Sequence, residues 1–179
     1  QVAYPGREGA FKFLHIGTKA NKNLERVVEA LAGLEAELTI VGKLQSHQYR
    51  LLKNSGVDYR NLVDLSDAEL HAAYAESNAL IFASTDEGFG LPILEAQALG
   101  RPVITSARAP MNDVAGSGAL LVDPEDVTAI GNACRRLMED GQLRAQLIAA
   151  GLKNVERFRP EAAAQAYTRL FVKLVGGVS

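Results

Sequence analysis

Short apolar runs alternate along this chain with longer segments whose apolar residues recur at helical spacing. The runs at residues 11–16, 37–41, 57–63, 79–83, 102–105 and 119–122 have strand length and read as buried strands, with 57–63 the weakest in pattern. Leu24, Val27, Val28, Leu31 and Leu34 fall on one face of a helix, which Asn21 or Asn23 can cap. A second helix is expected over 45–53, stopped near Gly56. Ser66-Asp67-Ala68-Glu69 forms a capping box that opens a third, running to about residue 77. Pro92 suits a first helical turn, where its missing N–H is not needed, and that helix stops at Gly100. The small residues of 106–118 have no period and read as a loop. Helices are expected over 127–139, 142–157 and 161–175, the last two divided by Phe158-Arg159-Pro160.

Strands alternating with helices imply a parallel sheet covered on both faces. The expected fold class is therefore α/β: a single Rossmann-like, doubly wound domain over residues 11–179, with extra C-terminal helices. Residues 1–10, with Pro5, Gly6 and Gly9 and no period, read as a linker or tag remnant. Ligands of such sheets bind at the carboxyl ends of the strands. Three polar, glycine-bearing segments fall there: Gly17-Thr18-Lys19 through Lys22, Gly42-Lys43, and Glu87-Gly88-Phe89-Gly90-Leu91.

Composition narrows the function classes. With 179 residues, 47% hydrophobic and 22% charged, the chain is an ordinary globular domain. Its net charge of -2 argues against a general nucleic-acid binder, yet leaves room for a phosphate site built on a few lysines. The one cysteine, Cys134, sits in a helical pattern and reads as a small buried side chain in a reducing compartment. No apolar run approaches the roughly 20 residues that span a bilayer. His15, His47 and His71 do not cluster at metal-ligand spacing and read as surface or strand-end residues. The absent initiator Met suggests a piece of a longer protein.

The densest chemistry lies between residues 79 and 100. A strand, a glycine-bearing loop and a helix start meet there, presenting backbone N–H groups and the positive helix end to an anion. Glu87 lies in the loop, and Glu95 about one turn inside an otherwise apolar helix. Either could be a local cap or a solvated acid. Together, flanking Gly88 and Gly90, they suit hydroxyl recognition, because both hydroxyls of a vicinal diol can donate to a carboxylate. Lys19 and Lys22 can supply charge for phosphate, and the N–H groups of Gly90 and Leu91 can donate to it. Solvated loop lysines are the other reading.

Glu87-Gly88-Phe89-Gly90-Leu91-Pro92 with Glu95 resembles the E-x7-E motif of retaining glycosyltransferases of the GT-B fold, in particular the large bacterial group 1, or family 4, type. Other segments resemble it in the same order: Lys22-Asn23-Leu24, Val41-Gly42-Lys43, and Leu65-Ser66-Asp67-Ala68-Glu69-Leu70, a helix opening placed after a base-contacting strand end at Leu62. Where many members carry arginine after the first glycine, this chain has Thr18, and Lys19 is a candidate replacement. The resemblance implies a nucleotide-diphosphate sugar as substrate, GDP-mannose or a UDP-sugar, and retaining transfer to a glycan or lipid-linked acceptor. It gives catalytic roles to Glu87, on the donor-sugar hydroxyls, and to Lys22, on the diphosphate. Glu95 would take the ribose, and Gly88, Phe89, Gly90 and Leu91 would offer amides to sugar and diphosphate. It implies no metal and no cofactor. A GT-B fold has two such domains, so the expected partner is an N-terminal domain of the same parent chain, with this chain the donor-binding half and inactive alone. The expected location is cytoplasmic, reaching the inner membrane surface through that other domain.

Two rivals stay open: half of a nucleotide-sugar epimerase, and a non-catalytic nucleotide-binding module. A receiver-like domain would need acidic residues where Gly17-Thr18-Lys19 stand. A dinucleotide-binding module would need G-x-G-x-x-G after the first strand.

Overall fold

The computed structural model describes residue 4 and residues 9–159. Among these, six strands form one sheet: β1 (Phe11–Ile16), β2 (Ala36–Val41), β3 (Asp58–Leu62), β4 (Ala79–Phe82), β5 (Val103–Ser106) and β6 (Ala119–Val122). The helices are α1 (Leu24–Leu31), α2 (Ser46–Ser55), α3 (Asp67–Glu76), α4 (Leu91–Ala98), α5 (Met111–Ala115), α6 (Val127–Glu139) and α7 (Gly141–Val155). Every strand pair is parallel, in the order β3-β2-β1-β4-β5-β6.

The two-residue period of the strands builds two cores. Phe11, Phe13, Leu38, Ile40 and Ile81 point to one face, against α1 and α6. Leu14, Leu80, Phe82 and Val103 point to the other, against Tyr74 of α3, Ile93 and Ala96 of α4, and Met111 and Val114 of α5. Central strands buried on both faces read as unbroken apolar runs, which is why β4 was plain in the sequence. β3 lies at the sheet edge, where Asp58 and Arg60 remain exposed, hence its weak pattern.

Helix ends follow local chemistry. The expected capping box at α3 is present: Ser66 N donates to Glu69 Oε2 (2.8 Å), and Glu69 N to Ser66 Oγ (3.4 Å). Asp126 and Asp140 accept from Ala129 N and Leu143 N and cap α6 and α7. One expectation fails. The stretch 106–118 is not a plain loop, since α5 lies within it and buries Met111, Val114 and Ala115. Five residues are too few for a helical period to emerge. The expected helix at 161–175 lies outside the described residues, as does most of the expected linker.

The strand order proceeds outward from β1 through β2 and β3, then restarts at β4 on the other side of β1. The loops leaving β1 and β4 therefore diverge to opposite faces and leave a crevice at their carboxyl ends, where doubly wound sheets bind ligands. Among the described residues no helix is long and apolar enough to cross a membrane.

Candidate functional site

The loop after β1 begins at Gly17, whose φ is +92. A Cβ there would stand 2.8 Å from Cγ of Lys22, so the absence of a side chain lets the lysine stem lie across the backbone. A single 3-10 turn, Ala20–Lys22, then carries the chain to Asn23, left-handed at φ 63. This turn brings Lys22 Nζ to 2.6 Å from Glu87 Oε1, with the two side chains 19% and 12% exposed. Nζ also sits 4.9 Å from the centroid of the Phe82 ring, a favourable place for a cation. One ammonium donor serves Glu87, which leaves two for a further acceptor.

Lys22 meets Glu87 because the two loops are stitched together. Thr85 N donates to Asn21 O (2.9 Å), and Asn21 Nδ2 to Asp86 O (2.8 Å). Asn23 Nδ2 donates both to Ala83 O (2.9 Å) and to Pro124 O (2.7 Å). Neither asparagine caps α1 through its side chain, contrary to the sequence expectation. Asn23 spends its amide on two strand-end carbonyls instead, and asparagine tolerates the left-handed backbone this requires. The sequence signal was Asn23 just before a helix, read as a cap when it is a tie.

The ends of β1, β2 and β3 converge through a second set of bonds. Gly17 N donates to Val41 O, and Gly42 N to Leu62 O, both at 2.8 Å. Thr18 Oγ1 donates to Lys43 O (2.7 Å), so its hydroxyl proton is already committed. Gln48 Nε2 holds Thr18 O (2.9 Å), and Asn61 Nδ2 holds Gly42 O (2.8 Å). Gly17, Thr18, Val41, Gly42, Lys43 and Leu62 thus gather at the carboxyl ends of three neighbouring strands. Lys19 and Lys43 are exposed.

The loop after β4 delivers the anion-binding feature. Gly90 is left-handed at φ 101 and turns the chain into α4, with Pro92 in the first turn. The amides of Gly88, Phe89, Gly90 and Leu91 donate to no other described residue. They therefore stay open at a helix N-terminus that carries partial positive charge. Phe89 and Leu91 are exposed beside them.

Glu95 is exposed on α4 and so avoids the cost of burying a carboxylate in an otherwise apolar helix. Tyr74 of α3, itself only 2% exposed, donates its hydroxyl to Glu95 Oε2 at 2.7 Å. The two residues share a groove of about 330 Å³ between α3 and α4, lined also by Asp67, Leu70, His71 and Leu99. Burial, and then the Glu95 carboxylate beside it, push the Tyr74 phenol well above its ordinary pKa, so it stays a donor. Glu87 and Glu95 are thus held by different partners, a lysine and a tyrosine. Tyr74 was missed in the sequence, although it is the one aromatic residue of α3.

His15 is not a surface residue. It is fully buried near the carboxyl end of β1, and desolvation, aided by the nearby Lys22 charge, lowers its pKa to about 4. Among the described residues no group of three or more His, Cys, Asp or Glu could hold a metal.

Known proteins resemble this chain in sequence and in fold. The family model described as "Glycosyl transferases group 1" matches residues 5–154. O-antigen chain mannosyltransferase B of Escherichia coli is 36% identical over 99 residues, 55% of this chain and 26% of that protein. D-inositol 3-phosphate glycosyltransferase of a Nocardioides species is 31% identical over 152 residues, 84% of this chain and 31% of that protein. The chain therefore spans about a quarter to a third of the length of these relatives. Among solved structures, sucrose-phosphate synthase from Thermosynechococcus elongatus superposes with TM-score 0.77 at 27% identity, over 93% of this chain and 46% of that one. The C-terminal domain of a glycosyl transferase group 1 family protein from Francisella tularensis shares the fold with TM-score 0.71 at 19% identity, over 87% of this chain and 94% of that domain.

Proposed function

The chain belongs to the group 1 glycosyl transferases, and from that premise we propose that it is the donor-binding part of a retaining glycosyltransferase. Its substrate is a nucleotide-diphosphate sugar, held in the crevice between the loops that leave β1 and β4. The observation that carries the reading is the Lys22–Glu87 pair at 2.6 Å, set beside open amides at the start of α4. A diphosphate needs positive charge and donors, and a sugar needs a carboxylate for its hydroxyls. A single ligand seated at this contact would meet both.

The division of labour follows from the chemistry of each group. Glu87 keeps Oε2 for the hydroxyls of the donor sugar. The two remaining ammonium donors of Lys22 and the amides from Gly88 to Leu91 face the diphosphate. As the bond from the anomeric carbon to the diphosphate oxygen breaks, negative charge grows on the leaving group, and fixed donors stabilise it. This route needs no metal and no cofactor. Glu95 accepts from the ribose hydroxyls, while the strand ends at Val41, Gly42 and Leu62 lie toward the base. Thr18 ties two loops, so Lys43 and Lys19 supply what further charge the phosphates meet. The transferred sugar is a hexose. Mannose is favoured by mannosyltransferases among the relatives, and GDP is the carrier we propose for it. The acceptor is held by an N-terminal domain of the same parent chain, so this domain alone does not transfer.

The test separates phosphate recognition from base recognition. Lys22→Ala is expected to weaken nucleoside diphosphate binding by about 1.5–3 kcal/mol, the worth of a hydrogen bond to a charged group, while leaving the plain nucleoside nearly unaffected. Equal losses for both ligands would remove Lys22 from the phosphate site.

A further inference from the structure

We infer that Tyr74 is a positioning residue for ribose recognition, holding the Glu95 carboxylate in the orientation that receives the two hydroxyls. The inference rests on the reading of Glu95 given above. Glu95 is exposed and has three rotatable side-chain bonds, so by itself it would lose much freedom on gripping a diol. Tyr74 is the opposite case. Its ring is packed into the core beside Ile93 and Ala96, with its hydroxyl delivered to the surface at Glu95 Oε2, 2.7 Å away.

The anchor of Tyr74 is itself anchored. Its carbonyl accepts from Arg101 Nε (3.1 Å) and from Ser77 Oγ (2.8 Å), and Arg101 Nη2 reaches Ala75 O (2.9 Å). A guanidinium at the C-terminus of α3 satisfies end carbonyls and meets the negative helix end. Arg101 is 1% exposed. The position of Glu95 is thus referred through Tyr74 to a buried cation on a neighbouring loop. Because Tyr74 only donates, Glu95 is the acceptor in the pair. It keeps Oε1 and one lone pair of Oε2, which matches two donating hydroxyls.

Tyr74→Phe removes the hydroxyl and keeps the ring, so the core stays filled. The parent, Tyr74→Phe, Glu95→Gln and the double variant are titrated with GDP and UDP and with the 2′,3′-dideoxy counterparts. Thermal unfolding of each variant checks its fold. Tyr74→Phe is expected to weaken the ribonucleotide by roughly 3- to 10-fold and to leave the dideoxy ligand within about twofold. Adding it to Glu95→Gln should cost nothing more, because the two act as one unit. Equal losses for ribo and dideoxy ligands would make Tyr74 merely structural. No loss with Tyr74→Phe, while Glu95→Gln abolishes the preference for ribose, would overturn the inference yet leave the proposed role of Glu95 intact. A parent with no preference for ribose over dideoxyribose would remove that role, and the inference with it.

Discussion

At the scale of single residues, the site depends on side chains that are absent as much as on those present. Gly17 is the plainest case. Its φ of +92 is costly for any L-residue, and an added Cβ would meet the Lys22 stem at 2.8 Å. The stem is flexible, so it would give way before the backbone does. Gly17→Ala should therefore fold with a loss on the order of 1–2 kcal/mol, seen in thermal unfolding. It should also displace Lys22 from Glu87 and weaken diphosphate binding about tenfold, as for the loss of one charge-assisted bond. Full diphosphate affinity in Gly17→Ala would show that the placement of Lys22 does not matter. Glycines, lysines and carboxylates of this kind were legible in the sequence because their residue types are unusual for their surroundings. The partners were not, because contacts such as Lys22 with Glu87, 65 positions apart, depend on how two loops meet.

At the scale of elements, Asn23 joins three segments: the turn before α1, the residue after β4 and the second residue after β6. Its buried amide satisfies two carbonyls, at Ala83 and Pro124. Asn23→Gly retains the left-handed backbone and removes both donors, and should cost about 2–4 kcal/mol in urea unfolding, with an unchanged slope against denaturant. A loss below about half a kcal/mol would reduce the tie to decoration. Strands, long helices and the capping box of α3 could be read from period and capping residues. α5 could not, since its helical state follows from packing Met111 and Val114 rather than from a repeated pattern. Nor could the exposure of Glu95, because apolar neighbours along α4 say nothing about where α3 leaves a groove. The Arg101 guanidinium bonded to α3 carbonyls likewise needed the fold, not the sequence, to place it.

For the whole molecule, one sheet with two cores brings the site together and also sets its acid limit. His15 is neutral in the fold with a pKa near 4, against an ordinary 6.5. Below pH 6.5 the unfolded chain takes up a proton that the folded chain refuses. Stability therefore holds above that pH and falls as pH drops toward 4, by about 1.4 kcal/mol per unit from this group. His15→Asn should flatten that part of the curve relative to the parent, measured by urea unfolding between pH 7 and pH 4, with the carboxylates common to both cancelling. Equal slopes would mean that His15 titrates normally. Under the proposed function, this fold is expected to hold a nucleoside diphosphate at the carboxyl ends of β1 and β4. Calorimetric titration of the folded chain with GDP, UDP and ADP tests it most directly. Saturable binding of at least one, weakened by Lys22→Ala for the diphosphate but not for its nucleoside, is the predicted result, and no binding heat with any of the three on a folded sample would contradict it.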